Sequence, residues 1–297
     1  MTEDAVRVAI GVPVYNGAAT LRRALDNLRN QTYRDIEVIV SDNASTDDSA
    51  AIAQEFADAD PRFRLFRRET NVGPVPNFFS LLEMTEADLF MWRADDDWSE
   101  PDYVEKLVSV FRENPRTKLA AGEAVFVTAG GKVTAVNPFS VPSQRLRGFR
   151  IGHMLMNLSS SSIYGLWHRA TLMEVLARTK EAYPYVWAWD YLAMMPVALT
   201  EGISGTNETR LYRDRPETRR YSAKERAETM WAMRRAFRKA CFAELRRVHW
   251  RWWEKPVLTI FVLRYANLRV YRFWKTVRRH IRQVFEVPDR NPPTQVG

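Results

Sequence analysis

VRVAIGVPVYNG at residues 6–17 and IEVIVSDNASTD at residues 36–47 share one plan. In each, a run of β-branched and apolar residues breaks off into Pro, Tyr, Asn, Ser, Asp or Gly. A short apolar run bounded by turn residues predicts a buried strand. Strands are expected over Arg7–Val12 and Ile36–Val40. An amphipathic stretch follows each. Ala19–Asn30 places Leu21, Leu25 and Leu28 on one helical face, and a second helix is expected over Asp48–Ala57, with Asp47 or Asp48 as its N-cap. The alternation continues with a strand over Phe63–Phe66, a helix over Val75–Met84, a strand over Leu89–Trp92, a helix over Pro101–Asn114 and a strand over Leu119–Val127. This order predicts an α/β fold, Rossmann-like, with a mostly parallel central sheet flanked by helices.

After Phe149 the pattern is less regular. It predicts a strand over Ser162–Trp167, helices over Ala170–Arg178 and Trp189–Leu199, and the end of a strand at Leu211–Tyr212. From Ala223 onward two long basic amphipathic helices are expected, broken at Pro256. The expected division is therefore residues 1–220 as one α/β domain and 221–297 as a basic, Trp-rich helical appendage. Within the domain, residues 6–128 would form a nucleotide-binding half and 129–220 an acceptor and catalytic half.

Composition narrows the classes. The chain has 297 residues and a net charge of +8, with 44 Lys+Arg and 36 Asp+Glu. Residues 221–297 hold 18 Lys and Arg against 6 Asp and Glu, a net +12, so the first 220 residues carry −4. The basic character belongs to the appendage. One cysteine, Cys241, excludes an internal disulfide framework and a cysteine-rich zinc module. His153, His168, His249 and His280 have no metal-ligand spacing. No apolar run approaches the ~20 residues of a membrane span. The opening MTEDAVRVAI has acids ahead of its apolar stretch and does not read as a signal peptide, so a cytoplasmic location is expected.

In open α/β sheets, ligands bind beyond the carboxyl ends of the strands. Four consecutive strand ends here carry polar clusters: Pro13-Val14-Tyr15-Asn16-Gly17, Ser41-Asp42-Asn43, Asn71-Val72-Gly73 with Asn77, and Ala94-Asp95-Asp96-Asp97. Each alone is ordinary turn chemistry. All four together imply one shared crevice. Three adjacent carboxylates repel one another, and a hard divalent cation would relieve that repulsion. Oxygen ligands without His or Cys suit Mg²⁺ or Mn²⁺, and Mg²⁺ takes one or two carboxylates plus phosphate oxygens. The triplet also lies just ahead of the Pro101 helix, where an acidic N-cap cluster would serve as well.

These residues resemble glycosyltransferase family 2, nucleotide-sugar transferases with the GT-A fold. The likeness runs from about Val6 to about Tyr221, through VAIGVPVYNGAATLRRALDNLRNQTY, IEVIVSDNASTDDS, NVGPVPNF, FMWRADDDWSEPDYVEKL and SIYGLWHRATL, and then Trp189-Asp190. It implies that Pro13 and Tyr15 line the base pocket, that Asp42 hydrogen-bonds the base, and that Asn71, Gly73 and Asn77 border the nucleotide. It places Asp95 and Asp96 in the family's metal-binding region. Aligned on Pro101, the family's usual first aspartate falls at Ala94, so the triplet departs from the common order. Asp96 is the first choice for metal ligand, Asp97 the second, and Asp95 is assigned to the nucleotide. Asp190 matches the catalytic base, although Trp189 stands where many members have Glu. Arg213, after Tyr212, would approach the diphosphate.

The resemblance thus implies an inverting, metal-dependent transfer from a nucleoside-diphosphate sugar to an acceptor hydroxyl. A cation offsets the charge that builds on the leaving diphosphate. A carboxylate takes the proton of the attacking hydroxyl, and such help is typically worth ~10²–10⁴-fold. Read without the family, Asp190 serves equally as a helix N-cap. A non-catalytic nucleotide-sugar-binding partner would need Asp42 and Tyr15 but not Asp190.

The appendage has its own signature. RRVHWRWWEK at Arg246–Lys255 concentrates Arg and Trp, a combination that suits anionic lipid headgroups. Packing against the domain, or a homo-oligomer through these helices, is the competing expectation. Nucleic acid is not expected, since no recognisable nucleic-acid module accompanies the basic stretch. Peripheral attachment to the inner face of the cytoplasmic membrane would suit a lipid-linked or polysaccharide acceptor in surface polysaccharide or glycolipid assembly.

Overall fold

A computed structural model describes residues 6–128, 130–214, 226–271 and 273–284. The expected domain boundary at residue 220 lies outside the described residues. The elements run β1 (Val8–Val14), α1 (Ala18–Arg29), β2 (Ile36–Asp42), α2 (Ser49–Ala59), β3 (Phe63–Arg67), α3 (Pro74–Ser80), β4 (Leu89–Trp92), β5 (Trp98–Ser99) and α4 (Tyr103–Glu113). They continue with β6 (Leu119–Val127), β7 (Val133–Asn137), α5 (Arg147–Asn157), β8 (Leu166–His168), α6 (Arg169–Ala182), α7 (Trp189–Leu199) and β9 (Ile203–Asp214). Three further helices follow: α8 (Ala227–Arg247), α9 (Glu254–Arg269) and α10 (Phe273–Val284).

The strands form one mixed sheet in the order β3-β2-β1-β4-β8-β6-β9-β5, with β7 also paired to β6. The half built from β3, β2, β1 and β4 is parallel throughout, as the β-α alternation predicts. β8 enters antiparallel between β4 and β6, while β6 and β9 run parallel. Helix α1 buries Leu21, Ala24, Leu25 and Leu28. These pack with Val8, Ile10, Val38, Leu107 and Val108 into a core on one face of the sheet. The second core holds Trp92, Trp167, Leu192 and Met195 together with Phe237, Cys241, Leu258 and Tyr265. Helices α8 and α9 therefore share a core with α5–α7. Cys241 is fully buried there and acts as a small apolar side chain.

Several expected elements are redrawn. Ser162–Trp167 is not a strand: Ser160–Tyr164 forms a 3₁₀ turn and the strand is only Leu166–His168. The Ser159 side chain accepts a hydrogen bond from the Ser161 N–H and starts that turn locally. Pro256 does not break the basic helices. It lies in the first turn of α9, where a missing N–H costs nothing. The break spans residues 248–253, and a second break precedes α10. Asp47 does not cap α2 from the N-cap position, which Asp48 holds without a side-chain bond. The Asp47 carboxylate instead accepts from the N–H groups of Ser49 and Ala18 and so ties α2 to α1. Asp190 is the second residue of α7, not its N-cap.

Candidate functional site

The loops after β1 and β2 are stitched to each other. Asn16 Oδ1 accepts from Thr46 N at 2.8 Å, Asn16 N donates to Ser45 Oγ at 2.9 Å, and Gly17 N donates to Ser49 Oγ at 2.9 Å. Asn16 and Ala44 both take positive φ, 51° and 61°, which marks two tight bends where the loops after β1 and β2 meet. Pro13 is tolerated in this central strand because pairing with β4 ends at Gly11. Tyr15 is half exposed at the rim. Asp42 is fully buried: Oδ1 accepts from Ser45 N at 3.2 Å, whereas Oδ2 has no hydrogen bond and only an ion-pair contact with Arg67 Nε at 3.5 Å.

Asn71 braces the next loop by accepting from Asn43 Nδ2 at 2.9 Å and Gly73 N at 2.8 Å. Gly73 has φ +86°, and no atom lies within 4 Å of where a Cβ would be. The glycine thus serves backbone conformation and leaves its surface open. Asn77 is buried instead of facing the crevice. It accepts from Ser41 Oγ at 2.6 Å and Arg68 Nε at 3.0 Å, donates to Ser41 O at 3.0 Å, and so fastens α3 to β2.

The acidic triplet divides into three environments. The Asp95 carboxylate lies over Gly17 at the start of α1; a Cβ on Gly17 would fall 1.9 Å from Asp95 Oδ2. Asp97 is 1% exposed, and both its oxygens are engaged, by Arg213 Nε at 3.0 Å and Asp214 N at 3.2 Å. That pairing anchors the end of β9 to the acidic loop across 116 residues. Asp96 lies between them, partly buried. Burial and then the neighbouring Asp97 charge push its carboxyl up to about 6, against the pull of Arg213. Arg23 holds this loop from below, donating to Asp96 O at 2.8 Å and lying 4.1 Å over the Trp98 ring.

Asp190 joins the same cluster. Burial raises its carboxyl to about 6, opposed by hydrogen bonds from the Tyr191 N–H and its own N–H and by Arg213 and Arg269. Tyr164 stands within electrostatic reach of Arg213, Asp97, Asp190 and Asp96, and burial raises its hydroxyl pKa. The Arg213 guanidinium lies 4.3 Å over the Tyr164 ring and reaches Ser161 Oγ at 3.4 Å. The structure therefore brings Asp96, Asp97, Arg213 and Asp190 together at one end of the sheet. Trp189 fixes the helix that carries Asp190: its ring meets Phe79 edge-on at 5.0 Å and Phe78 at 5.7 Å, and Phe78 stacks on Trp92 at 4.2 Å. The apolar Trp in place of Glu belongs to this cluster. Ala188, just ahead, has φ +64°, a strained value for alanine.

Sequence reading missed Tyr164, Ser161, Ala188 and Arg269. Tyr164 sits in the quoted SIYGLWH stretch, but a strand was expected there. Arg269 carries no sequence signal. It donates to the carbonyls of Leu155 at 3.1 Å and Met156 at 3.0 Å and lies 4.3 Å over the Tyr191 ring, which ties α9 to the start of α7.

Among the described residues, no three His, Cys, Asp or Glu side chains converge as a ready-made cation site. The donor set fits only a cation that takes one or two carboxylates and completes its shell with phosphate oxygens. Asp96 offers one such carboxylate, whose charge burial and the neighbouring Asp97 disfavour. His153 is held by Ser140 Oγ at 2.7 Å and Gln144 Nε2 at 3.1 Å, and His168 by Thr171, so neither faces the cluster as a ligand.

Residues 9–154 match the family model "Glycosyl transferase family 2". Glycosyltransferase GlyA of Streptococcus pneumoniae is 37% identical over 101 residues, which is 34% of this chain and 14% of that protein. The chain spans less than half the length of the first curated relatives it matches. In structure it is similar to S. aureus TarS 1-349 in complex with UDP-GlcNAc, with TM-score 0.63 and 17% identity, covering 88% of this chain and 73% of that one. It is also similar to mannosyltransferase PcManGT from Pyrobaculum calidifontis in complex with GDP-Man and Mn²⁺, with TM-score 0.57 and 18% identity, covering 95% and 76%. At such identities the likeness shows the fold, and the fold is GT-A. The parallel half-sheet, its stitched strand-end loops and the match over residues 9–154 identify this chain as carrying a glycosyl transferase family 2 domain.

Proposed function

We propose that the chain transfers a sugar from a nucleoside-diphosphate sugar to an acceptor hydroxyl with inversion at the anomeric carbon. The observation that carries this reading is Asp190, a carboxyl pushed up to about 6 and facing the same cluster as Asp96 and Arg213. A base with that pKa is largely ionised at pH 7 yet closer than a free carboxylate to the proton it must accept. Asp42 and Tyr15 receive the base, the first through its buried oxygen that makes no hydrogen bond. The backbone around Gly73, together with Asn71, borders the nucleotide. Arg213, held by Asp97 and stacked on Tyr164, approaches the diphosphate and offsets charge on the leaving group. Asp95, at the start of α1, borders the nucleotide beside it. Asp96 would hold a Mn²⁺ or Mg²⁺ ion, which when bound neutralises developing charge on the diphosphate. Asp97 stands ready as a second ligand only at the expense of its bond to Arg213. One displacement needs one base, and no second carboxylate is assigned beside Asp190.

The same proposal places the chain on the cytoplasmic face of a membrane, with a lipid-linked acceptor, in surface polysaccharide or glycolipid assembly. Support comes from the turn between α8 and α9. A cavity of about 520 Å³ there is lined by Arg246, Arg247, His249 and Lys255 beside Trp250. Trp252 projects next to it, 78% exposed. Among the described residues no helix is long and apolar enough to cross a membrane, so attachment would be peripheral. Cationic groups with Trp at their edge match anionic headgroups above an acyl boundary.

Asp190→Asn tests the catalytic assignment. Turnover is expected to fall ~10²–10⁴-fold while nucleotide binding persists; unchanged turnover would defeat the assignment of Asp190 as the base.

A further inference from the structure

Helix α9 turns one face to the first turn of α7, which carries Asp190. Tyr265 and Arg269 stand one helical turn apart on that face, and both reach Tyr191, the neighbour of Asp190. The Tyr265 hydroxyl donates to Tyr191 O at 2.7 Å, and the two rings meet edge-on at 6.4 Å. The Arg269 guanidinium lies 4.3 Å over the Tyr191 ring and 5.3 Å over the Tyr265 ring. Its Nη2 donates to Leu155 O and Met156 O in the last turn of α5, where a cation suits the helix end. A neutral donor would serve those two carbonyls as well, so the bonds alone do not account for a charged side chain.

The charge has a more specific use. Among the described residues Arg269 has no carboxylate at ion-pair distance, and its Nε is buried without a hydrogen bond. Taking a cation out of water in that state is costly unless its field acts on an opposite charge. The carboxylate within its field is Asp190. Burial is the main influence on the Asp190 carboxyl and raises it; the N–H groups of Tyr191 and Asp190, then Arg213 and Arg269, pull it back. The other titratable groups in reach are Tyr164 from the 3₁₀ turn, Tyr183 just after α6 and Tyr265 from α9. The two cations differ. Arg213 is already committed to Asp97, whereas Arg269 has no such partner. Arg213 is also the one placed to meet the diphosphate, whose charge would draw its field away from Asp190.

We propose that Arg269 is a positioning residue for the base: it fixes the first turn of α7 through Tyr191 and holds a positive charge within reach of Asp190, so that this carboxylate stays ionised while Arg213 is engaged by the diphosphate. This inference rests on the transfer reaction proposed above and adds to it a residue far along the chain.

The test follows the Asp190 carboxyl by nuclear magnetic resonance in the full chain, isotopically labelled at its aspartate carboxyl carbons. The Asp190 signal is identified by its loss in Asp190→Asn, and its midpoint in the parent protein is expected at about 6. Arg269→Gln keeps an amide donor and drops the charge. It should raise the midpoint by at least ~0.5 pH unit, as removal of a nearby opposite charge does. Arg269→Lys keeps the charge without the planar fork and should leave the midpoint within ~0.3 pH unit of the parent. Tyr265→Phe removes the hydroxyl that holds Tyr191 O but no charge, and should leave it equally unmoved. A midpoint that Arg269→Gln does not raise overturns the proposal. A rise of ~0.5 pH unit or more in Arg269→Lys or Tyr265→Phe assigns the effect to packing and overturns it too, which decides the matter even if Arg269→Gln does not fold. Uridine, guanosine and thymidine diphosphates titrated with Mn²⁺ on the parent protein report separately on the transfer reaction. If none binds, that reading fails while the midpoints still report on Arg269; if one binds and Arg269→Gln leaves the midpoint in place, only the role of Arg269 fails.

Discussion

The two sides of the proposed site are built differently. The proposed donor side comes from successive strand ends, and its bonds join loops about 30 residues apart, such as Asn16 with Thr46 and Asn43 with Asn71. The acceptor side is assembled across the chain. Arg213 reaches Asp97 from 116 residues away, and Arg269 reaches the carbonyls of Leu155 and Met156 from more than 110. Local loops on a parallel sheet make the shelf proposed for the nucleotide. Long-range contacts set the proposed base, Asp190, and the Arg213 cation, whose placement depends on the C-terminal helices. Damage to the second side should therefore separate chemistry from nucleotide binding.

The largest effect is expected where the two sides are joined. Asp97→Ala leaves the partly buried Arg213 guanidinium without its carboxylate. Breaking a buried pair by removing one partner costs about 3–5 kcal/mol. Urea unfolding should report a loss of that order, with turnover falling in parallel. A loss below ~1 kcal/mol would mean that Arg213 finds another partner and that the two sides are not joined there.

A smaller effect of opposite sign is expected at Asp96. Its carboxyl is raised to about 6, so the folded chain disfavours the charge that the unfolded chain carries freely. Well below pH 3.8 the group is protonated in both states and contributes nothing. As pH rises from there to about 6 the unfolded chain loses its proton first and stability falls. Above pH 6 the full penalty is present. Asp96→Asn should therefore stabilise the protein by about 1–2 kcal/mol at pH ~7.5 and by nothing measurable at pH ~2.5, allowing for partial exposure. Paired denaturation curves at the two pH values check this. Equal effects at both would remove the electrostatic account of Asp96.

How much of this was legible follows the same division. The strands of the parallel half and the helix over Trp189–Leu199 could be read because apolar periodicity and turn residues act over a few positions. Asp42, Asp96 and Asp190 stood out as chemistry-bearing residues at element ends. Asn77 was assigned to the nucleotide, yet its amide is engaged with Ser41 and Arg68, a pairing that no spacing rule predicts. The 3₁₀ turn at Ser160–Tyr164 reads as a strand because Ile163, Leu166 and Trp167 are apolar and close together. Tyr164 and Arg269 were missed because their roles arise from contacts with Arg213 and Tyr191, far along the chain. Pro256 was misplaced because proline in a first turn and proline in a helix interior look alike in sequence.

The smallest effect on stability belongs to the appendage surface. Trp252 is 78% exposed, so Trp252→Ser should change folding free energy by less than ~0.5 kcal/mol. Sedimentation with vesicles containing anionic lipid should nevertheless fall, while association with neutral vesicles stays low in both proteins. Unaltered sedimentation would move the membrane contact elsewhere.

The central claim is that an acidic loop and a base-binding carboxylate serve one nucleotide. Titrating uridine, guanosine and thymidine diphosphates with and without Mn²⁺ tests it most directly. Affinity for one of them should rise sharply with Mn²⁺, Asp96→Ala should abolish the rise, and Asp42→Ala should weaken binding whether or not the ion is present. Affinity that Mn²⁺ leaves unchanged, or a rise that survives Asp96→Ala, would contradict the account.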